Sequence, residues 1–171
     1  MLAATGPGFG WVTQNVLEGT AIATFRGTQS VEDWLHNLDF FPAPYQPVPS
    51  VGMVHSGFQL YYMTIRNSFF SLLAGVSPTC RRLILTGHSL GAALSELAAP
   101  DVLHKLNARW QPEVQNFAGP RVGQNDFVSV FDAQSTSVFA SSIFGTLFRT
   151  FRRRSFLNTL DWQSQLTGDS R

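Results

Sequence analysis

Arg82-Leu83-Ile84-Leu85-Thr86-Gly87-His88-Ser89-Leu90-Gly91-Ala92-Ala93-Leu94-Ser95-Glu96-Leu97 is the stretch on which the fold turns. Its first part, Arg82–Gly87, is a short continuous apolar run ended by glycine, the pattern of a fully buried strand in a parallel sheet. Residues 90–99 switch to helical spacing, with Leu90, Ala93, Leu94 and Leu97 on one side. Between the two, Gly87-His88-Ser89-Leu90-Gly91 fits G-x-S-x-G in the strand-then-helix setting that this motif requires. The reason is steric. A serine on so sharp a turn is held in a strained conformation, and glycines two before and two after let the backbones pass closely. Its hydroxyl stands at the N-terminus of a helix, where free amides and the dipole favour an anion. Ser89 is thereby the expected nucleophile of an elbow formed by Gly87, His88 and Gly91, with the Leu90 amide as one oxyanion donor.

The same alternation of elements extends outward. Gly10–Val16 and Thr20–Phe25, flanking Glu18-Gly19, read as a strand pair. Phe58, Tyr61, Tyr62, Ile65, Phe69 and Leu72 recur every three or four residues, which predicts a helix of about five turns over Gly57–Leu73. The Pro-rich segment 42–50 reads as an extended loop. Pro100 is expected to end or kink the helix that begins at Leu90, because it lacks an amide donor and clashes with the preceding turn. Val114–Ala118 reads as a further short strand and Asn125–Phe131 as a further helix. Strands alternating with helices predict an α/β fold with a mostly parallel central sheet.

Length and composition set the bounds. A chain of 171 residues suits one domain spanning 1–171, and at 44% hydrophobic it can fill a core, which excludes a disordered chain. The lone Cys80 excludes a disulfide framework and a cysteine-rich metal site. A net charge of +1 gives no footprint for nucleic acid. No spacing of metal ligands or phosphate-cradling glycine loop occurs, so no metal and no cofactor is expected. No apolar run reaches the 18 or so residues of a membrane span, and MLAATGPGFGW lacks the basic head and apolar stretch of a signal peptide. Charge is uneven: residues 136–171 hold five basic and two acidic side chains, four of the basic ones within Arg149–Arg154.

Several stretches, in order, resemble the class 3 (fungal-type) lipases of the α/β-hydrolase superfamily. Phe25-Arg26-Gly27-Thr28 resembles the end of the oxyanion strand, and Gln29–Phe40 the lid segment after it. Val54-His55-Ser56-Gly57-Phe58 resembles the entry to the long helix, Leu85–Leu94 the elbow, and Asn116–Phe127 the strand and turn beyond it. The resemblance is strongest over residues 10–132, and 136–171 form a divergent basic tail. It implies an α/β-hydrolase fold, incomplete at both ends, and a serine lipase or carboxylesterase that cleaves acylglycerols or related lipids through an acyl-enzyme at Ser89. It further implies Thr28 as second oxyanion donor and Trp34, Leu35 and Leu38 as the apolar face of a lid that turns outward at a lipid–water interface.

A serine hydroxyl is a weak nucleophile without a base, and the base needs an orienting carboxylate. In this superfamily the chain order is Ser, Asp, His. Asn158-Thr159-Leu160-Asp161 resembles the family's aspartate turn, about a dozen residues later than expected, making Asp161 the candidate acid. All four histidines, His36, His55, His88 and His104, precede it. His55 suits a structural hydrogen-bonding role, and His104 would lie about 22 Å from Ser89 if the helix ran on. The alternative function is therefore a catalytically impaired lipase-like module that binds a lipid surface or a partner. In the tail, Phe139, Ile143, Leu147 and Phe151 recur every four residues ahead of Arg152–Arg154, a pattern that could lie in an anionic interface; a strand and helix on the sheet is the competing reading.

Overall fold

A computed structural model describes residues 10–27, 41–106, 109–134 and 138–141. Seven strands are described: β1 (Gly10–Asn15), β2 (Thr20–Phe25), β3 (Pro42–Pro44), β4 (Met53–His55), β5 (Arg82–His88), β6 (Glu113–Phe117) and β7 (Val138–Ser141). Three α-helices accompany them: α1 (Ser56–Ala74), α2 (Leu90–Lys105) and α3 (Asn125–Gln134). Five strands form the main sheet in the order β1-β2-β5-β6-β7. β1 pairs antiparallel with β2 across the turn at residues 16–19, and every other neighbour in the sheet is parallel. The mostly parallel sheet expected from the alternating elements is the one observed.

Register shows how the sheet selects its faces. Ala21 sits beside Leu83, Ala23 beside Leu85, and Phe25 beside Gly87, while Leu85 and Gly87 sit beside Val114 and Asn116. All of these are buried, and they form the face on which α2 lies. The alternate row carries the exposed His88 beside Phe117, which is 53% exposed. Burial on α2's side is nearly complete: Leu90, Ala93, Leu94, Leu97 and Val102 join one core with Phe58, Tyr62, Phe69 and Leu73 of α1. The Phe25 and Phe69 rings meet with centroids 5.1 Å apart, tying β2 to α1.

Two expectations need correction. Of the two outcomes expected at Pro100, an end or a kink, the end is not observed: the helix starting at Leu90 continues to Lys105. A proline forfeits one backbone bond, but the next residue is anchored to the neighbouring helix. Asp101, fully buried, accepts from Arg66 Nε at 2.6 Å, from Arg66 NH2 at 2.8 Å and from Tyr62 Oη at 2.7 Å. That tertiary bonding outweighs the local propensity. The Pro-rich segment is likewise more ordered than an extended loop: β3 pairs antiparallel with β4, and Pro49–Val51 forms a 3-10 turn. Prolines are tolerated there because the two-stranded ribbon is all edge and needs few donors. In the tail, Val138–Ser141 is a strand beside β6, so Phe139 belongs to the sheet, in line with the reading of a strand packed there. The rest of the tail, residues 142–171, lies outside the described residues.

Candidate active site

β5 delivers Ser89 to the C-terminal end of the sheet, where α2 begins. Ser89 is 4% exposed and has φ 55° and ψ −120°, a conformation that L-residues rarely adopt. Holding a non-glycine residue there costs roughly 1–3 kcal/mol, so the surroundings must enforce it. A Cβ at Gly87 would overlap the Gly91 carbonyl, and one at Gly91 would overlap the carbonyl oxygen of Phe25. Both glycines are required by backbone contact: the first presses the strand into the helix start, the second presses the helix start onto the end of β2. These are the two positions at which the motif demands glycine.

The turn is then bonded on both sides. The Ser89 amide donates to the Phe117 carbonyl at 3.0 Å, and the Ser89 carbonyl accepts from the amides of Ala92 and Ala93 at 3.0 and 3.3 Å. Leu90 opens the helix, and its amide is among the first-turn N–H groups that have no carbonyl behind them in the helix. β2 leaves the sheet beside this point: a Cβ at Gly27 would come within 2.7 Å of the His88 carbonyl oxygen and 3.9 Å of Ser89 Cβ. The backbone position just before Thr28 is thus in contact with the Ser89 turn.

Beneath the turn lies a polar cluster that motif reading did not single out. Asn116, buried on the α2-facing side of β6, donates from Nδ2 to the Ala92 carbonyl at 3.0 Å and to Glu96 Oε1 at 3.3 Å. The Ser95 hydroxyl, also fully buried, lies 2.6 Å from Asn116 Oδ1 and 2.8 Å from the Ala92 carbonyl oxygen. Burial raises the Glu96 carboxyl to about 8, against the opposing hydrogen bond from Asn116, and the charge of Asp132 adds to the rise. The signal in the sequence was the alternation of β6: Val114 and Asn116 share the inward face, so a polar residue stands where an apolar one is expected.

The three described histidines are elsewhere. His55 caps α1, its Nδ1 accepting from the amides of Gly57 and Phe58 at 3.1 and 3.4 Å, the structural role expected of it. Burial lowers its basicity, keeping the ring in the neutral form a cap requires. His104 is exposed near the far end of α2, fifteen residues along from Ser89, and His88 is exposed on β5's other face. His36, Thr28, the lid residues Trp34, Leu35 and Leu38, and Asp161 lie outside the described residues. β7 ends at Ser141, and the sequence holds no carboxylate between Asp132 and Asp161. Among the described residues, no group of three His, Cys, Asp or Glu side chains could hold a metal ion, and no helix is long and apolar enough to cross a membrane.

Comparison with known proteins bears on this geometry. The family model described as lipase (class 3) matches residues 22–146. The chain is 32% identical over 134 residues to phospholipase A(1) DAD1, chloroplastic, of Arabidopsis thaliana, covering 68% of this chain and 30% of that protein. It is 32% identical over 135 residues to a lipase of Rhizopus niveus, covering 75% of this chain and 33% of the relative. The solved triacylglyceride lipase of Rhizomucor miehei superposes with a TM-score of 0.67 at 26% identity, over 77% of this chain and 51% of the other. The chain spans about a third of the length of the curated relatives it matches.

Proposed function

The chain belongs to the class 3 lipase family, and from that premise we propose that residues 1–171 form one lipase-like domain that hydrolyses carboxylic esters of acyl lipids at Ser89. The observation that carries the reading is the Ser89 turn itself, a buried serine at φ 55° between a parallel strand and a helix N-terminus, flanked by glycines that backbone contact makes obligatory. Ser89 Oγ attacks the ester carbonyl carbon, and its proton passes to a general base. The carbonyl oxygen becomes an oxyanion held by the amides of Leu90 and Thr28; each such donor is worth about 3–4 kcal/mol of barrier. Collapse expels the alcohol, which takes the proton back, and water then releases the fatty acid from the acyl-enzyme. Asp161 is the candidate for the acid that orients the base, and Trp34, Leu35 and Leu38 for the lid that meets a lipid–water interface.

A second reading has its own observation. Residues 105–171 contain no histidine, and His55 and His104 are placed in structural or distant positions. On that reading the domain keeps the elbow and binds a lipid surface or partner with little or no triad-level turnover. Fluorophosphonate labelling and short-chain ester hydrolysis, each compared with Ser89→Ala, separate the two. Labelling and turnover that vanish in Ser89→Ala establish the hydrolase; an unlabelled Ser89 together with binding to sedimented liposomes establishes the binding module.

A further inference from the structure

β6 meets the nucleophile turn at two successive residues, one through its backbone and one through its side chain. The Phe117 carbonyl accepts from the Ser89 amide, and the Asn116 side chain donates to the carbonyl of Ala92, whose own amide donates to the Ser89 carbonyl. Asn116 is also in register with Gly87, the glycine that presses the strand into the helix start. We propose that Asn116 is a positioning residue, which with the Phe117 carbonyl clamps the Ser89 turn by holding the strand side and the helix side to the same two residues of β6.

The chemistry of the buried amide supports this. An amide in a core is tolerated only when its groups are paired. Here both Asn116 donors are used, on Ala92 and Glu96, and its oxygen faces the Ser95 hydroxyl. Replacing such a network by apolar groups of similar shape is often nearly neutral for stability, so stability alone does not account for it. What an apolar side chain cannot do is fix the rotation of α2 about its axis. The Ala92 carbonyl receives the Asn116 amide from a defined direction, while the single Ser95 hydroxyl proton is within reach of both the Asn116 oxygen and that carbonyl. Gly119, just past β6, lets the strand approach closely: a Cβ there would lie 3.0 Å from Ala92 Cβ. The helix start, and the Leu90 amide with it, is thereby aimed at the space above Ser89.

The proposal rests on Ser89 as the reactive position, and its test does not need ester hydrolysis. In a Ser89→Cys chain, the introduced thiol sits at the N-terminus of α2, where a thiolate is stabilised and alkylation by iodoacetamide is accelerated. Peptide-resolved mass spectrometry reads that site apart from the buried Cys80. Adding Asn116→Leu, or the pair Asn116→Leu and Ser95→Ala, is expected to slow alkylation at pH 7 about tenfold or more and to move its pH profile to higher pH. Amide exchange at Ala92 and Ala93 is expected to speed up while α1 keeps its protection. The pair is expected to recover the stability lost by Asn116→Leu alone and not the reactivity, and Ile65→Val serves as a mild core control with unchanged alkylation. Unchanged alkylation, or unchanged exchange at Ala92 and Ala93, in the stable double variant overturns the clamp. Failure of ester hydrolysis with the clamp intact overturns only the enzymatic reading.

Discussion

Ser89 and Ala118 are the two non-glycine residues with positive φ among those described, at 55° and 51°. Each follows the C-terminal end of a strand, Ser89 after β5 and Ala118 after β6, and the two strands are neighbours. The two strains differ in purpose. Ser89 carries a hydroxyl whose presentation depends on that conformation, whereas Ala118 carries only a methyl group. The left-handed region costs an L-residue roughly 1–2 kcal/mol that glycine avoids, and the added freedom of glycine in the unfolded chain returns part of it. Ala118→Gly is therefore expected to stabilise the fold by about 0.5–1 kcal/mol, measured by urea or thermal unfolding. A loss of stability would mean that the Ala118 methyl makes packing contacts that outweigh the strain. Both positions illustrate why residue types are legible and conformations are not: the motif announced Ser89, but nothing around Ala118 announced a left-handed residue.

Among the elements, α1 and α2 carry the mechanical load of the site. They are joined inside the core by Asp101 of α2, with Arg66 and Tyr62 of α1 as its partners, and the Tyr45 hydroxyl, just past β3, donates to the Leu97 carbonyl of α2. Asp101 is fully buried and the Arg66 side chain is 20% exposed, so removing the carboxylate leaves a largely enclosed guanidinium without its counter-ion. Asp101→Ala is expected to cost about 3–5 kcal/mol, read as a fall in the urea midpoint. The double change to Asp101→Ala with Arg66→Met is expected to recover much of it, since the orphaned charge is then gone. Failure of the double change to recover stability would place the cost in the orphaned Tyr62 hydroxyl or in the helix turn after Pro100. The spacing of Phe58, Tyr62, Ile65 and Phe69 made α1 readable from the sequence, because a buried face repeats with the helical period. Pro100 misled because propensity is local and weak, while Asp101 is tied across to a helix 35 residues earlier.

Among the described residues, two titratable groups, His55 and Glu96, bend stability with pH in opposite senses. His55 is less basic folded than unfolded, so its contribution is present above about 6.5 and is lost as pH falls through its lower folded value. Glu96 is shifted up to about 8, so its contribution is full below the ordinary carboxylate range and declines as pH rises toward that value. The melting temperature is expected to fall on both sides. Glu96→Gln should raise the melting temperature at pH 8.5 more than at pH 5, while His55→Ala, which removes the α1 cap, should cost about 1 kcal/mol at neutral pH and less in acid. Equal effects of Glu96→Gln at both values would mean that Glu96 ionises normally in the fold. By itself the sequence determined the order of the main-sheet strands β1, β2, β5 and β6 and of the three helices, and the strand-to-helix turn that carries Ser89, because buried faces repeat with a fixed period and such a turn admits few residue types. Only the tertiary structure decided that α2 passes through Pro100, that Pro42–Pro44 is a strand, and that Asn116 reaches the Ser89 turn. Each of those depends on pairing between segments distant along the chain, Asp101 with Arg66 and Tyr62, β3 with β4, and Asn116 with Ala92 and Glu96, which no local preference encodes.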